Sequence, residues 1–146
     1  MLAENATETI PVYVLDAVKK CQVIFAENER SARRFLKSMD KEIIIDNFEW
    51  FAIHKAEAEQ LNQFRNKIKE QKNIAIISEA GCPGVADPGQ VLVDAAQEMN
   101  CTIKPLVGPS SILLALTASG MDGQQFAFAG HLPFDEVGRA EKIKEI

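Results

Sequence analysis

The chain has 146 residues, enough for one α/β domain with a real core and too few for two full domains. Apolar residues make up 47% and charged residues 25%, an ordinary balance for a globular protein, and the formal net charge is −5. That acidity argues against a domain whose main surface grips nucleic acid, since phosphate contacts require a basic face; a local basic patch stays open.

Elements alternate along the chain. Glu8 or Thr9 can cap a helix running to Lys20, with Val14, Ala17 and Val18 on one face. Gln22–Ala26 is a short apolar run, read as a buried strand. Ser31–Met39 is predicted helical with Ser31 as its cap, and Glu42–Ile45, β-branched, is predicted to be a strand. Lys55–Gln71 is the clearest helix, since Ala58, Leu61, Phe64 and Ile68 form one stripe. Asn73–Ser78 is apolar on both faces, the pattern of a central strand in a parallel sheet. Gly89–Met99 is predicted helical, Thr102–Leu106 a strand, Ser110–Ser119 an apolar helix and Phe126–Ala129 a last strand. After Pro133 the chain turns charged and reads as a linker or the start of a further element. Strands alternating with helices imply a mostly parallel sheet with helices on both faces. The chain starts at a helix and stops inside another, so a fragment of a longer protein is expected.

Cys21, Cys82 and Cys101 form no CxxC pair, which argues against a disulfide framework or a zinc site and fits a reducing cytosol. No apolar run approaches the ~20 residues of a membrane span. The N-terminal MLAENATETI lacks the apolar core of a signal peptide. A cytoplasmic location, with no membrane and no metal partner, is the expectation. His54 and His131 have no acidic or cysteine partner at metal spacing. The aromatic cluster Phe48, Trp50 and Phe51 reads first as a packed loop, with base stacking as the alternative.

In an open parallel sheet, ligands sit past the carboxyl ends of the strands. Two loops there are rich in Gly, Pro and Ser. The first, SEAGCPGVADPG, runs from Ser78 to Gly89. It exceeds the ~2–6 residues usual for such connections. Asp87 reads as the N-cap of the following helix, with Pro88 at its first position. The second loop is Val107-Gly108-Pro109-Ser110-Ser111, which a tight turn with Gly108 or Ser110 as cap also explains. Upstream, Glu27 follows an apolar strand and divides evenly between capping and function. Arg30, Arg33 and Arg34 read as surface residues paired with Glu27 or Glu29, or as phosphate contacts.

These segments, taken together, resemble a known family. The stretch from ISEAGCPGVADPG through LVGPSSILLAL and TASG to AGHLP resembles strand–SDAGTPxxSDPG–helix–strand–PGPS–helix–SG–strand–GFLP, the pattern of the tetrapyrrole (corrin/porphyrin) methylase superfamily. AENERSARRFL resembles that family's AEDTRxSRxLL segment. The likeness runs from about Val23 to Pro133 and is strongest to the branch that methylates a ribose 2′-hydroxyl of small-subunit ribosomal RNA. It implies the N-terminal domain of a two-domain α/β fold, whose first strand is missing from this chain. Residues 1–133 are then the incomplete methylase domain, and 134–146 a linker or the start of a second domain. The cofactor implied is S-adenosylmethionine, with Gly81, Cys82, Pro83, Val85, Ala86, Pro109, Ser110 and Ser111 matching the family's contact segments. Cys82 stands where relatives carry Thr or Asp, Glu79 replaces Asp and Ala86 replaces Ser. Glu27 and Arg30 match the substrate side. No residue stands out as a catalytic base. Ribosomal RNA or the small subunit as partner, and a homodimer, are implied by resemblance. A tetrapyrrole, another small molecule or a protein side chain as methyl acceptor remains an alternative, as does a non-catalytic binding module that keeps the cleft.

Overall fold

The computed structural model describes residues 6–53 and 57–146. The chain divides into two compact units, Met1–Pro109 and Ser110–Ile146.

The first unit is an α/β sandwich. A 3₁₀ turn, Ala6–Thr9, precedes helix α1 (Val12–Lys19), strand β1 (Val23–Ala26) and helix α2 (Glu29–Met39). A second 3₁₀ turn, Ile45–Asn47, leads into β2 (Glu49–Ala52), α3 (Glu57–Lys69), β3 (Ile74–Ile77) and α4 (Gln90–Glu98). The sheet is parallel, in the order β2-β1-β3, with Val23 opposite both Glu49 and Ile74. Successive strand side chains point to opposite faces. Ile24 and Ala26 therefore join Leu15 and Val18 of α1 and Ala32 and Leu36 of α2 in one core. Val23 and Phe25 join Phe64 of α3 and Leu92, Ala95 and Ala96 of α4 in the other. The expected parallel sheet with helices on both faces is what these residues build.

Several boundaries and assignments differ from expectation. The first helix starts at Val12 behind Pro11, not at Glu8 or Thr9. Asn28, not Ser31, caps α2, its side chain accepting the Ser31 amide. Glu42–Ile45 is not a strand. The strand is Glu49–Ala52, inside the aromatic cluster. Its Phe51 ring stacks on Phe25 at 4.7 Å and 14°. Trp50 faces the other core and donates from Nε1 to the Ile45 carbonyl at 3.1 Å. Aromatic burial on both faces outweighs the β-propensity of three isoleucines, of which Ile44 stays 60% exposed. Central position falls to β1, whose four residues are 0% exposed, while β3 is half-buried and ends the sheet among the described residues.

Helix α3 buries Phe64, with Leu61 and Ile68 beside it, as the stripe predicts; the side chain of Ala58 lies outside the described residues, as does His54. Its C-terminus closes through Gln71 at φ 57°, with amides of Gln71 and Lys72 bonding back to Ile68 and Lys67. This double bond pattern satisfies carbonyls that a helix end leaves open. Asn100, at φ 56°, ends α4 in the same way.

In the second unit, α5 (Ser111–Ser119) has Ser110 as N-cap and Gly120 as a left-handed C-cap. Asp135 caps α6 (Glu136–Glu145), accepting the Gly138 amide at 2.7 Å, so the charged tail is helical. The segments 102–106 and 126–129, predicted as strands, carry no strand structure. A strand needs a paired neighbour for its amides and carbonyls, and neither segment has one among the described residues. None of the described helices is long and apolar enough to cross a membrane.

Candidate functional site

The carboxyl ends of β1 and β3 bring two sequence-predicted segments together. β1 ends at Ala26 and β3 at Ile77, and the Glu27 amide donates to the Ile77 carbonyl at 2.9 Å. The Glu27 carboxylate turns to the loop after β3 and accepts the backbone amide of Glu79 at 2.8 Å. The Glu79 carboxylate in turn accepts the hydroxyl of Ser31, in the first turn of α2. Strand end, loop and helix start are thereby tied. Glu27 is not a helix cap, since Asn28 holds that position.

The loop itself, Ser78 to Gly89, is held by its own backbone. Ser78 Oγ donates to the Ala80 carbonyl at 3.1 Å. The Val85 amide bonds the Cys82 carbonyl at 3.0 Å, and the Gly84 amide the Pro88 carbonyl at 3.2 Å. Gly89 is buried at φ 127°, and a Cβ there would lie 3.1 Å from Ile76 Cγ2 and 3.3 Å from the Gly84 nitrogen. Glycine is therefore required on grounds of both space and backbone angle. Ala86 sits at φ 58°, a left-handed conformation that costs a residue with a Cβ about 1–2 kcal/mol.

Gly89, not Asp87, is the N-cap of α4, which corrects the capping expectation. The Asp87 carboxylate instead reaches toward Gly81, whose Cβ, if present, would lie 3.2 Å from Oδ2. The hydrogen-bonding pattern leaves the amides of Gly81, Cys82 and Ala86 without a partner among the described residues. Gly81, Pro83, Val85 and Ala86 are exposed, and Cys82 is half-buried. The loop thus presents backbone donors and small apolar surface, and no charged side chain among Gly81, Cys82, Pro83, Val85 and Ala86.

The other candidates lie as follows. The Val107 amide bonds the Tyr13 hydroxyl at 3.3 Å, which holds the entry to the Gly108-Pro109 turn within the first unit. Ser110 belongs to the second unit, where its hydroxyl accepts the Leu113 amide at 3.5 Å, and Ser111 opens α5. Arg30 and Arg34 are exposed on α2. Arg33 is engaged, 3.4 Å from Glu29 and 4.7 Å from the Trp50 ring centre. His131 is exposed. Among the described residues no three His, Cys, Asp or Glu side chains converge as a metal site would require.

A groove of about 280 Å³ lies at the opposite, amino end of β1, lined by Lys19, Cys21, Asp40, Ile43 and Phe48. Sequence reading passed over it, because its lining comes from separated segments without a motif. Lys19 and Asp40 pair across it at 2.6 Å. The hydrogen bond raises the Lys19 pKa and lowers that of Asp40, while burial raises the Cys21 thiol.

Comparison with known proteins adds a family match and three relatives. The family model described as "Tetrapyrrole (Corrin/Porphyrin) Methylases" matches residues 6–142. "Ribosomal RNA small subunit methyltransferase I" of Escherichia coli O157:H7 is 32% identical over 133 residues, covering 90% of this chain and 45% of the relative. The protein of the same name from Vibrio cholerae serotype O1 is 31% identical, covering 90% of this chain and 44% of that protein. One from Synechocystis sp. is 42% identical over 80 residues, 55% of this chain and 29% of the relative. The chain spans less than half the length of these curated relatives.

Proposed function

The chain belongs to the family of tetrapyrrole (corrin/porphyrin) methylases, and from that membership we propose that it forms part of an S-adenosylmethionine-dependent methyltransferase acting on a ribose 2′-hydroxyl of small-subunit ribosomal RNA. The names of the relatives support the RNA acceptor over a tetrapyrrole. The observation that carries the donor side is the loop after β3, where the amides of Gly81, Cys82 and Ala86 have no partner among the described residues, at the carboxyl edge of a parallel sheet. Backbone donors recognise polar groups of a ligand regardless of side-chain identity, so Cys82 in place of Thr or Asp is compatible with binding.

In this reading Gly81, Cys82, Pro83, Val85 and Ala86 hold the donor. Pro109, Ser110 and Ser111 are assigned to it on the family pattern alone. The donor, when bound, supplies a methyl group already activated on a sulfonium. What remains for the chain is alignment and exclusion of water. Glu27 sets the position of the loop through the Glu79 amide, and Arg30 is assigned to the acceptor side on the family pattern alone. The acceptor hydroxyl also loses a proton, and the family motifs matched here name no residue as its base. A methylase domain over 1–133, a homodimer and a cytoplasmic location complete the proposal on the family pattern.

The test is transfer of a labelled methyl group by the full-length protein onto small ribosomal subunits that lack the modification. Label in ribose 2′-O-methyl nucleotides is the expected result. Absence of transfer to RNA, with transfer to a tetrapyrrole, would overturn the acceptor.

A further inference from the structure

We propose that the outer face of α2 is a track for the phosphodiester backbone of RNA, formed by Arg30, Arg34 and Lys37. The proposal rests on the ribosomal RNA reading above and adds the surface on which the strand would lie.

Helix α2 buries Ala32 and Leu36 and packs Phe35 and Met39 against the core. Residues 30, 34 and 37 follow one another at helical i, i+4, i+7 spacing and are all exposed, on the side away from that core. The helix carries four basic residues and one acid in a chain of net charge −5. The acid, Glu29, is taken by Arg33, which also lies over Trp50. Nearby, Asp40 is held by Lys19, and Glu27 by the Glu79 amide. Arg30 and Arg34 make no ion pair or hydrogen bond with any described residue. Lys37 donates to the Lys41 carbonyl and forms no ion pair among the described residues, although the Asp40 carboxylate, paired to Lys19, lies within its electrostatic reach.

Placement adds to the charge. The track begins beside Ser31, whose hydroxyl bonds Glu79 in the proposed donor loop. From there it extends ~10 Å along the helix axis, at about 1.5 Å per residue. A linear row of cations starting at a methyl-transfer loop complements a polyanionic strand whose ribose enters that loop. The guanidinium groups match phosphate oxygens in pairs. Such contacts set position and register without reading bases. Sequence choice must then come from elsewhere in the protein.

The test uses the 146-residue chain and a fluorescently labelled single-stranded RNA of mixed sequence, titrated over a series of salt concentrations. Arg30→Gln, Arg34→Gln and Lys37→Gln together are expected to weaken binding about tenfold or more and to reduce the slope of log affinity against log salt by about two. A charge-matched control, Lys69→Gln with Lys72→Gln and Lys104→Gln, is expected to change affinity less than about twofold. Arg33→Gln is expected to leave the slope unchanged. Circular dichroism verifies that each variant is folded. Equal losses in the two triple variants, or no RNA binding by the parent chain at low salt, overturn the track. Methyl transfer by the full-length protein separates this from the functional reading. Transfer to ribosomal RNA with no effect of the α2 substitutions sinks the track alone. Binding through α2 without any transfer to RNA sinks the reading.

Discussion

The Glu27 carboxylate accepts the Glu79 backbone amide at 2.8 Å, joining the end of the central strand to the loop that carries the family motif. Glu79 passes the connection to Ser31 on α2. An acidic residue after a strand, which looks from sequence like a ligand for substrate, is occupied in holding backbone. Glu27→Ala is expected to speed hydrogen exchange at the Glu79 amide several-fold, since a bond to a charged acceptor is worth about 1.5–3 kcal/mol before solvent exposure weakens it. Glu27→Gln retains an acceptor and is expected to recover most of the protection. Equal exchange in the parent and Ala variants would remove the tie.

Gly89→Ala meets crowding and backbone strain together. A left-handed or rarer angle in a residue with a Cβ costs about 1–3 kcal/mol, and the Ile76 and Gly84 contacts at 3.1 and 3.3 Å add to it. Urea denaturation is expected to show a loss of ~2 kcal/mol or more. A midpoint within error of the parent would show that the loop relaxes freely.

Leu36 is 1% exposed between α2 and the sheet. Leu36→Ala is expected to cost about 2–5 kcal/mol in the same measurement. Arg34→Ala, two residues away on the solvent side, is expected to stay within ~0.5 kcal/mol. The contrast checks which face of α2 is buried, and equal effects would contradict it.

The Lys19–Asp40 pair sets a pH dependence. Asp40 has its pKa lowered, chiefly by the hydrogen bond from Lys19, so its contribution is present above the ordinary carboxylate range and is lost as pH falls through the lowered value. Lys19 has its pKa raised, so its contribution is present below the ordinary lysine range and is lost as pH rises through the raised value. Asp40→Asn is expected to narrow the stability difference between neutral and acid pH. The effect is small, as for surface pairs generally. An unchanged acid limb in thermal melts would show the pair to be inconsequential.

Calorimetric titration of the 146-residue chain with S-adenosylhomocysteine is expected to give weak binding or none, because this chain matches less than half of each curated relative. Micromolar binding would show that the loop after β3 suffices.

Much of this protein is legible in one dimension. Helix α3 follows from its apolar stripe, and α2, α4 and α5 from local helix-compatible segments, because a helix satisfies its own backbone bonds within a few residues. The Gly-Pro loops are legible too, because their motifs encode local backbone angles such as those at Gly81 and Gly89. What tertiary structure decided is which extended runs become strands and what their neighbours hold. EWFA pairs with β1 and EIII does not, since Phe51 finds Phe25 to stack on. Glu27 meets Glu79 from 52 positions away in the chain. Strand pairing and such ties are completed by partners distant in sequence, so the residue alone states its capacity to bond and the fold selects the partner.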